Sequence, residues 1–130
     1  MVKELTIYEA FDGTRFDSLN EANNYALTLV IQKHFEEAKS LLLKTMPVAR
    51  RVHGEGHRVT LKMSFTYAQS LYKDPGATLG DLREAVTTLE DAERTARRVF
   101  GGGHPLTATF EHHLREARAA LRARETPGDA

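Results

Sequence analysis

The chain has 130 residues, enough for one domain of ordinary size. Eighteen basic residues balance eighteen acidic ones, leaving no net field to attract nucleic acid or an anionic membrane. There is no cysteine, which excludes disulfides and thiolate metal sites, and no apolar run approaches the ~18 residues of a membrane span.

Residues 2–11 admit two readings. Thr6, Ile7 and Tyr8 before Asp12-Gly13 could be a strand entering a hairpin turn. Leu5, Tyr8 and Phe11 instead repeat at helical spacing, and the repeat register described below favours the last turns of a helix. Ser18-Leu19-Asn20-Glu21 is a capping-box pattern that opens a helix over about 18–32, with Leu19, Ala22, Tyr25, Ala26, Leu29 and Val30 inward. After Gln32-Lys33-His34 a second helix spans 35–53, with Phe35, Ala38, Leu41, Leu42, Ala49 and Val52 inward and a kink expected at Pro47. A third runs about 58–72 on Leu61, Met63, Phe65, Ala68 and Leu71.

The loop 73–78 ends at Thr78, which with Asp81 makes a second, weaker capping pattern. The fourth helix, about 79–100, buries Leu82, Val86, Leu89, Ala92, Ala96 and Val99. A fifth opens at Pro105, a favoured first helical position, and runs to about 125. Arg115, Glu116, Arg118, Arg122 and Arg124 make it polar over much of its surface, as suits the last helix of a stack. Residues 126–130 read as a disordered tail.

One pattern is written twice. Arg50-Arg51-Val52-His53-Gly54-Glu55-Gly56-His57 recurs as Arg97-Arg98-Val99-Phe100-Gly101-Gly102-Gly103-His104, at an offset of 47, with Thr60 and Thr107 beyond. Basic residues suit the negative end of a helix dipole. Gly54 and Gly101 can take the left-handed conformation that stops a helix, and the next helix starts at once. A fainter copy lies 42 residues upstream, where Arg15-Phe16-Asp17-Ser18-Leu19 falls on His57-Arg58-Val59-Thr60-Leu61. Such helix stops and starts at a long period mark stacked helical units. The units are 15–56, 57–103 and 104–125, and residues 1–14 are the partial helix of a degenerate unit. That N-terminal piece is expected to dock Leu5, Tyr8 and Phe11 on the helix 18–32, or to leave that helix open to a second chain.

These residues resemble the tetratricopeptide repeats of kinesin light chain type, which join at a Gly-x-x-His-Pro-x-Thr turn followed by Asn-Asn-Leu-Ala. Residues 101–107 fit the turn in full, and 54–60 fit with Arg58 in place of proline. Asn23-Asn24-Tyr25-Ala26 fits the second motif, and Phe35-Glu36-Glu37-Ala38 looks like the family's opening of the second helix. The family's groove-facing asparagine is matched by Asn24 but becomes Thr66 and His113 in the later units. The resemblance implies an all-α, antiparallel helix-pair solenoid of about two and a half repeats. It also implies a protein-interaction module that holds a peptide or partner protein on its concave face.

On that face the matching positions are Asn20, Lys62 and Thr109, then Asn24, Thr66 and His113, side chains able to hydrogen-bond an extended peptide. The histidines do not form a metal pattern. His53 and His57 are separated by helix-breaking glycines, His112 and His113 diverge, and no His-Glu-x-x-His is present. No nucleophile-and-base motif exists, so no enzyme activity and no cofactor is expected. The glycine clusters lack a Gly-Lys-Ser/Thr ending, and Arg50-Arg51 and Arg97-Arg98 are balanced by nearby acids, so turn chemistry and solvated helix ends outweigh phosphate binding. The alternative function is structural, a repeat fragment that self-associates through its open ends. Residues 1–5 lack a signal-peptide profile, so the expected location is cytoplasmic.

Overall fold

The computed structural model describes residues 8–9, 15–16 and 18–125. A two-residue strand β1 (Tyr8–Glu9) pairs antiparallel with β2 (Arg15–Phe16), Tyr8 opposite Phe16 and Glu9 opposite Arg15. Five helices follow: α1 (Leu19–Ile31), α2 (Phe35–His53), α3 (Arg58–Tyr72), α4 (Leu79–Phe100) and α5 (Pro105–Glu125). Each helix packs antiparallel on the next. α1, α3 and α5 also lie side by side as an inner layer, against which α2 and α4 form the outer one. This is an all-α helix-pair solenoid.

The expected N-terminal helix over 1–14 is corrected at Tyr8–Glu9, which is extended and paired across a hairpin. The β-branched and aromatic run before Asp12-Gly13 outweighs the helical spacing of three side chains, because a short isolated helix cannot repay its nucleation cost. The expected docking of Leu5, Tyr8 and Phe11 and the tail 126–130 fall outside the described residues.

Helix boundaries follow from local chemistry. The Ser18 hydroxyl accepts from the Glu21 amide at 3.1 Å and starts α1. At α4 the box is complete: Asp81 N–H donates to the Thr78 hydroxyl, and Thr78 N–H to the Asp81 carboxylate, both at 3.0 Å. That contact holds the Asp81 carboxyl below the usual carboxylate range. α1 ends in a Schellman arrangement, with His34 N–H on Leu29 O at 2.7 Å and Lys33 N–H on Val30 O at 3.0 Å. Lys33 takes the left-handed position at φ 66°, unusual for a residue with a Cβ. α2 runs through Pro47 without interruption, and both Pro47 and Leu43, whose carbonyl loses its helical donor, are exposed.

The two corners are built alike. Gly54 ends α2 at φ 90°, ψ 164°, and Gly101 ends α4 at φ 94°, ψ 158°. The φ is positive as expected, but the large ψ places both in the extended positive-φ region open essentially to glycine alone, not in the left-handed helical one. His57 Nδ1 then accepts Val59 N–H at 3.1 Å, and His104 Nδ1 accepts Leu106 N–H at 3.0 Å, so a histidine caps each following helix. Each ring stacks on the aromatic residue before the glycine, His57 on His53 at 4.2 Å and His104 on Phe100 at 4.7 Å. Arg58, standing where the second corner has proline, lies over the Phe100 ring at 5.9 Å and ties the two corners together.

The core follows the expected faces except at two equivalent positions. Val52 and Val99, expected inward, are 57% and 46% exposed, since the last turn of each outer helix overruns its inner neighbour. α3 lies between the other helices and buries polar as well as apolar side chains. The hydroxyls of Ser64, Thr66 and Ser70 turn back on their own helix, to Thr60 O, Lys62 O and Tyr67 O, while Thr60 donates to Ala49 O of α2, so the burial of these four leaves no hydroxyl unpaired. Phe110 of α5 is fully buried, with Phe65 edge-on at 6.1 Å. α4 and α5 are further joined by three ion pairs at seven-residue spacing, Arg83–Glu125, Glu90–Arg118 and Arg97–Glu111.

Gly101→Val should destabilise by on the order of 1–2 kcal/mol or more, whereas Gly103→Ala, whose added Cβ meets nothing within 4 Å, should cost less. In the same melts His104→Ala should lose about 1 kcal/mol and His104→Asn, which restores a capping oxygen, should recover most of it. Lys33→Gly should raise stability by up to about 1 kcal/mol, by relieving the left-handed backbone; an unchanged or lower denaturation midpoint would count against that strain.

Candidate functional site

The inner layer presents one stripe per helix. On α1 it runs Asn20, Asn24, Leu27, Ile31; on α3 Lys62, Thr66, Gln69, Lys73; on α5 Thr109, His113, Glu116, Ala120. The spacing of four, three and four residues keeps each stripe on one helical face. The offsets of 42 and 47 that relate the corners also relate every member of these rows.

The six residues singled out in the sequence occupy the first half of the stripes and meet different environments. Asn20, Asn24 and Lys62 are exposed. Thr66 is 1% exposed, and its hydroxyl is engaged by Lys62 O at 3.0 Å. Thr109 is half-buried and donates to Pro105 O at 2.9 Å. His113 lies under Phe65, its ring 4.4 Å away, with Nδ1 2.6 Å from the Tyr72 hydroxyl. Thr66 and His113 therefore serve packing between α3 and α5.

The open concavity lies one turn further on. A groove of about 560 Å³ is lined by the rows Leu27–Gln69–Glu116 and Ile31–Lys73–Ala120, with Val30, Tyr72, Lys33 and Phe35 at its side. None of the six residues above lines it. Its α1 end is apolar, and Ile31 there is 71% exposed. Lys33 and Lys73 stand at its edge, and neither forms an ion pair among the described residues. Gln69 is 5% exposed, and its side-chain oxygen has no hydrogen-bond donor. Asn23 Oδ1 is likewise unpaired, but it lies off the groove. Sequence reasoning stopped at Asn24, Thr66 and His113; continuing the same register by three and seven residues reaches the groove.

One wall is held by a relay from α3 to α5. The Tyr72 hydroxyl donates to Glu116 Oε1 at 2.9 Å, and His113 Nδ1 lies within 3.2 Å of the same oxygen. Burial, then the Glu116 hydrogen bond, raises the tyrosine's pKa well above its ordinary value. The Tyr72 hydrogen bond holds Glu116 below the usual carboxylate range, and burial holds His113 below an ordinary imidazole despite the opposing pull of Glu116. His112, His113 and Glu116 bring ligand atoms within 4.8 Å of one another, the nearest approach to a metal-binding set among the described residues. In this set Nδ1 of His113 already faces the tyrosine hydroxyl. At the corners Arg50 pairs with Glu55 at 3.3 Å and Arg97 with Glu93 at 2.9 Å.

His113 and Glu116 have depressed folded pKa values, so their stabilisation is present above the unfolded pKa and lost as pH falls through the folded one. The melting temperature should drop as pH is lowered from neutral to about 3, first through the His113 range and then through that of Glu116. His113→Gln should remove the first segment of that decline and Tyr72→Phe should flatten the second; parallel curves for all three proteins would contradict the relay.

Comparison with known proteins agrees with this geometry over part of the chain. Residues 22–58 match the family model described as tetratricopeptide repeat, a span covering most of α1, all of α2 and the first corner. No curated protein and no solved structure matches. Among the described residues no helix is long and apolar enough to cross a membrane. Residues 22–58 are thus similar to a tetratricopeptide repeat, and α3, α4 and α5 continue the same helix-pair arrangement.

Proposed function

We propose that the protein is a non-catalytic interaction module that holds an extended segment of a partner protein across α1, α3 and α5. Tetratricopeptide repeats generally mediate protein–protein interaction, which supports the general role. The observation that carries the specific reading is the groove itself, made by repeat-equivalent residues of three successive inner helices. Its chemistry specifies a complement: an apolar side chain over Leu27 and Ile31, and a carboxylate within reach of Lys33 or Lys73. A cation there would face two lysines, and an unpaired charge at the apolar end would be desolvated without compensation. The twin corners support a unit of kinesin light chain type; the partner and its setting, taken as cytoplasmic, follow from neither.

Ile31→Asp and Lys73→Glu test this reading. Both positions are exposed, so the fold should be kept, shown by an unchanged melting curve. Peptides selected from a displayed library on the wild-type protein should lose about tenfold or more in affinity for either variant. Full retention of binding by both variants would place the partner elsewhere. Light scattering addresses self-association through the open ends: a stable dimer insensitive to Ile31→Asp would favour the structural alternative.

A further inference from the structure

Gln69 is the point at which the groove is left chemically unfinished. Its side chain is 5% exposed, lines the groove, and carries an oxygen with no donor. Leaving such an acceptor buried and unpaired costs about 1–3 kcal/mol, and buried polar atoms in folded proteins are rarely left so. Loose packing of α3 does not account for it. The hydroxyls beside it are all engaged, Thr66 by Lys62 O, Ser70 by Tyr67 O and Tyr72 by Glu116. An apolar residue of the same length would suit the packing without that cost.

Position gives the orphan its meaning. Gln69 stands between Leu27 of α1 and Glu116 of α5 in the middle row of the groove. Inner helices spaced about 8–10 Å apart are crossed by roughly six extended residues, which present backbone N–H groups to the groove floor at alternate positions. The donor that completes Gln69 is a neutral one: the Glu116 carboxylate in the same row is already engaged by Tyr72 and His113, and Leu27 and Val30 offer nothing to compensate a buried charge. The oxygen is enclosed in the free protein, so accepting from a bound segment takes rotation about the soft terminal torsion of the glutamine.

We infer that Gln69 fixes the register of the bound segment by accepting one of its backbone N–H groups, a role that rests on the groove reading above. The bound chain is then read by its main chain at α3 and by its side chains at either end. This makes Gln69 a binding residue maintained at the expense of stability.

The test uses the full chain, peptides selected on it from a random displayed library, and Gln69→Met. Without peptide, Gln69→Met should melt at or above the wild-type temperature, since it removes an unpaired buried acceptor. With peptide, it should bind about tenfold more weakly. In a backbone N-methyl scan of the selected peptide, one position should weaken binding to the wild type about tenfold and leave binding to Gln69→Met unaffected. A lowered melting temperature for Gln69→Met overturns the inference, because the oxygen would then be satisfied within the fold. Wild-type affinity in Gln69→Met, with binding still lost in Ile31→Asp, also overturns it while leaving the groove reading standing. Selected peptides indifferent to Ile31→Asp, Lys73→Glu and Gln69→Met remove both.

Discussion

The geometry of the array depends on how each outer helix is turned into the next inner one. Gly54 and Gly101 leave the helix at positive φ with an extended ψ, and three residues later a histidine ring accepts the amide of the second residue of the new helix. The same ring stacks on the side chain preceding the glycine, so one imidazole joins the end of one helix to the start of the next. Two of the orphan groups that every helix terminus leaves are thus answered within eight residues of sequence. Arg58 over Phe100 connects the first corner to the second, which sets successive units relative to each other.

With the corners fixed, the two layers differ in what they can hold. The outer helices bury one apolar face and expose the other. The central inner helix α3 is covered from several sides and accommodates serine and threonine because their hydroxyls bond to backbone carbonyls, of its own helix at Ser64, Thr66 and Ser70 and of α2 at Thr60. At the far end, the ion pairs between α4 and α5 repeat every seven residues, the interval that returns to the same helical face. Exposed pairs of this kind are individually weak, each below about 1 kcal/mol, and act mainly by fixing alignment. The next-facing side of α5 carries Glu111, Arg115 and Arg118 where α3 carries Ser64, Ala68 and Leu71 at the equivalent positions.

The groove arises from the same repetition. Residues related by the offsets line up across α1, α3 and α5, and the relay of Tyr72, His113 and Glu116 closes one wall. Function as a binding surface needs no catalytic group and no strained chemistry. It needs an apolar floor, cations outside ion pairs, and a polar atom awaiting a donor, and among the described residues these occur together in the second half of the inner stripes. The left-handed Lys33 at its edge fits that picture, since a residue held where glycine would be easier contributes its charge instead.

The sequence alone determined the helices and the corners, because both are local. Capping residues, glycine stops and a side-chain period of about 3.6 residues act within a turn or two of chain. α2, α3, α4 and α5 accordingly begin and end where the pattern places them. Three-dimensional structure decided whatever depends on neighbours far along the chain. Tyr8–Glu9 pairs with Arg15–Phe16 as a hairpin because a partner strand was within reach, and Val52 and Val99 are exposed because the adjoining inner helix stops short of them. Thr66 and His113 share a register with Asn24, yet Thr66 is buried and His113 lies under Phe65, while Gln69 is left without a donor. The identity of a polar residue is written in the sequence, but whether it faces solvent, a helix or an empty place is settled by the elements packed around it.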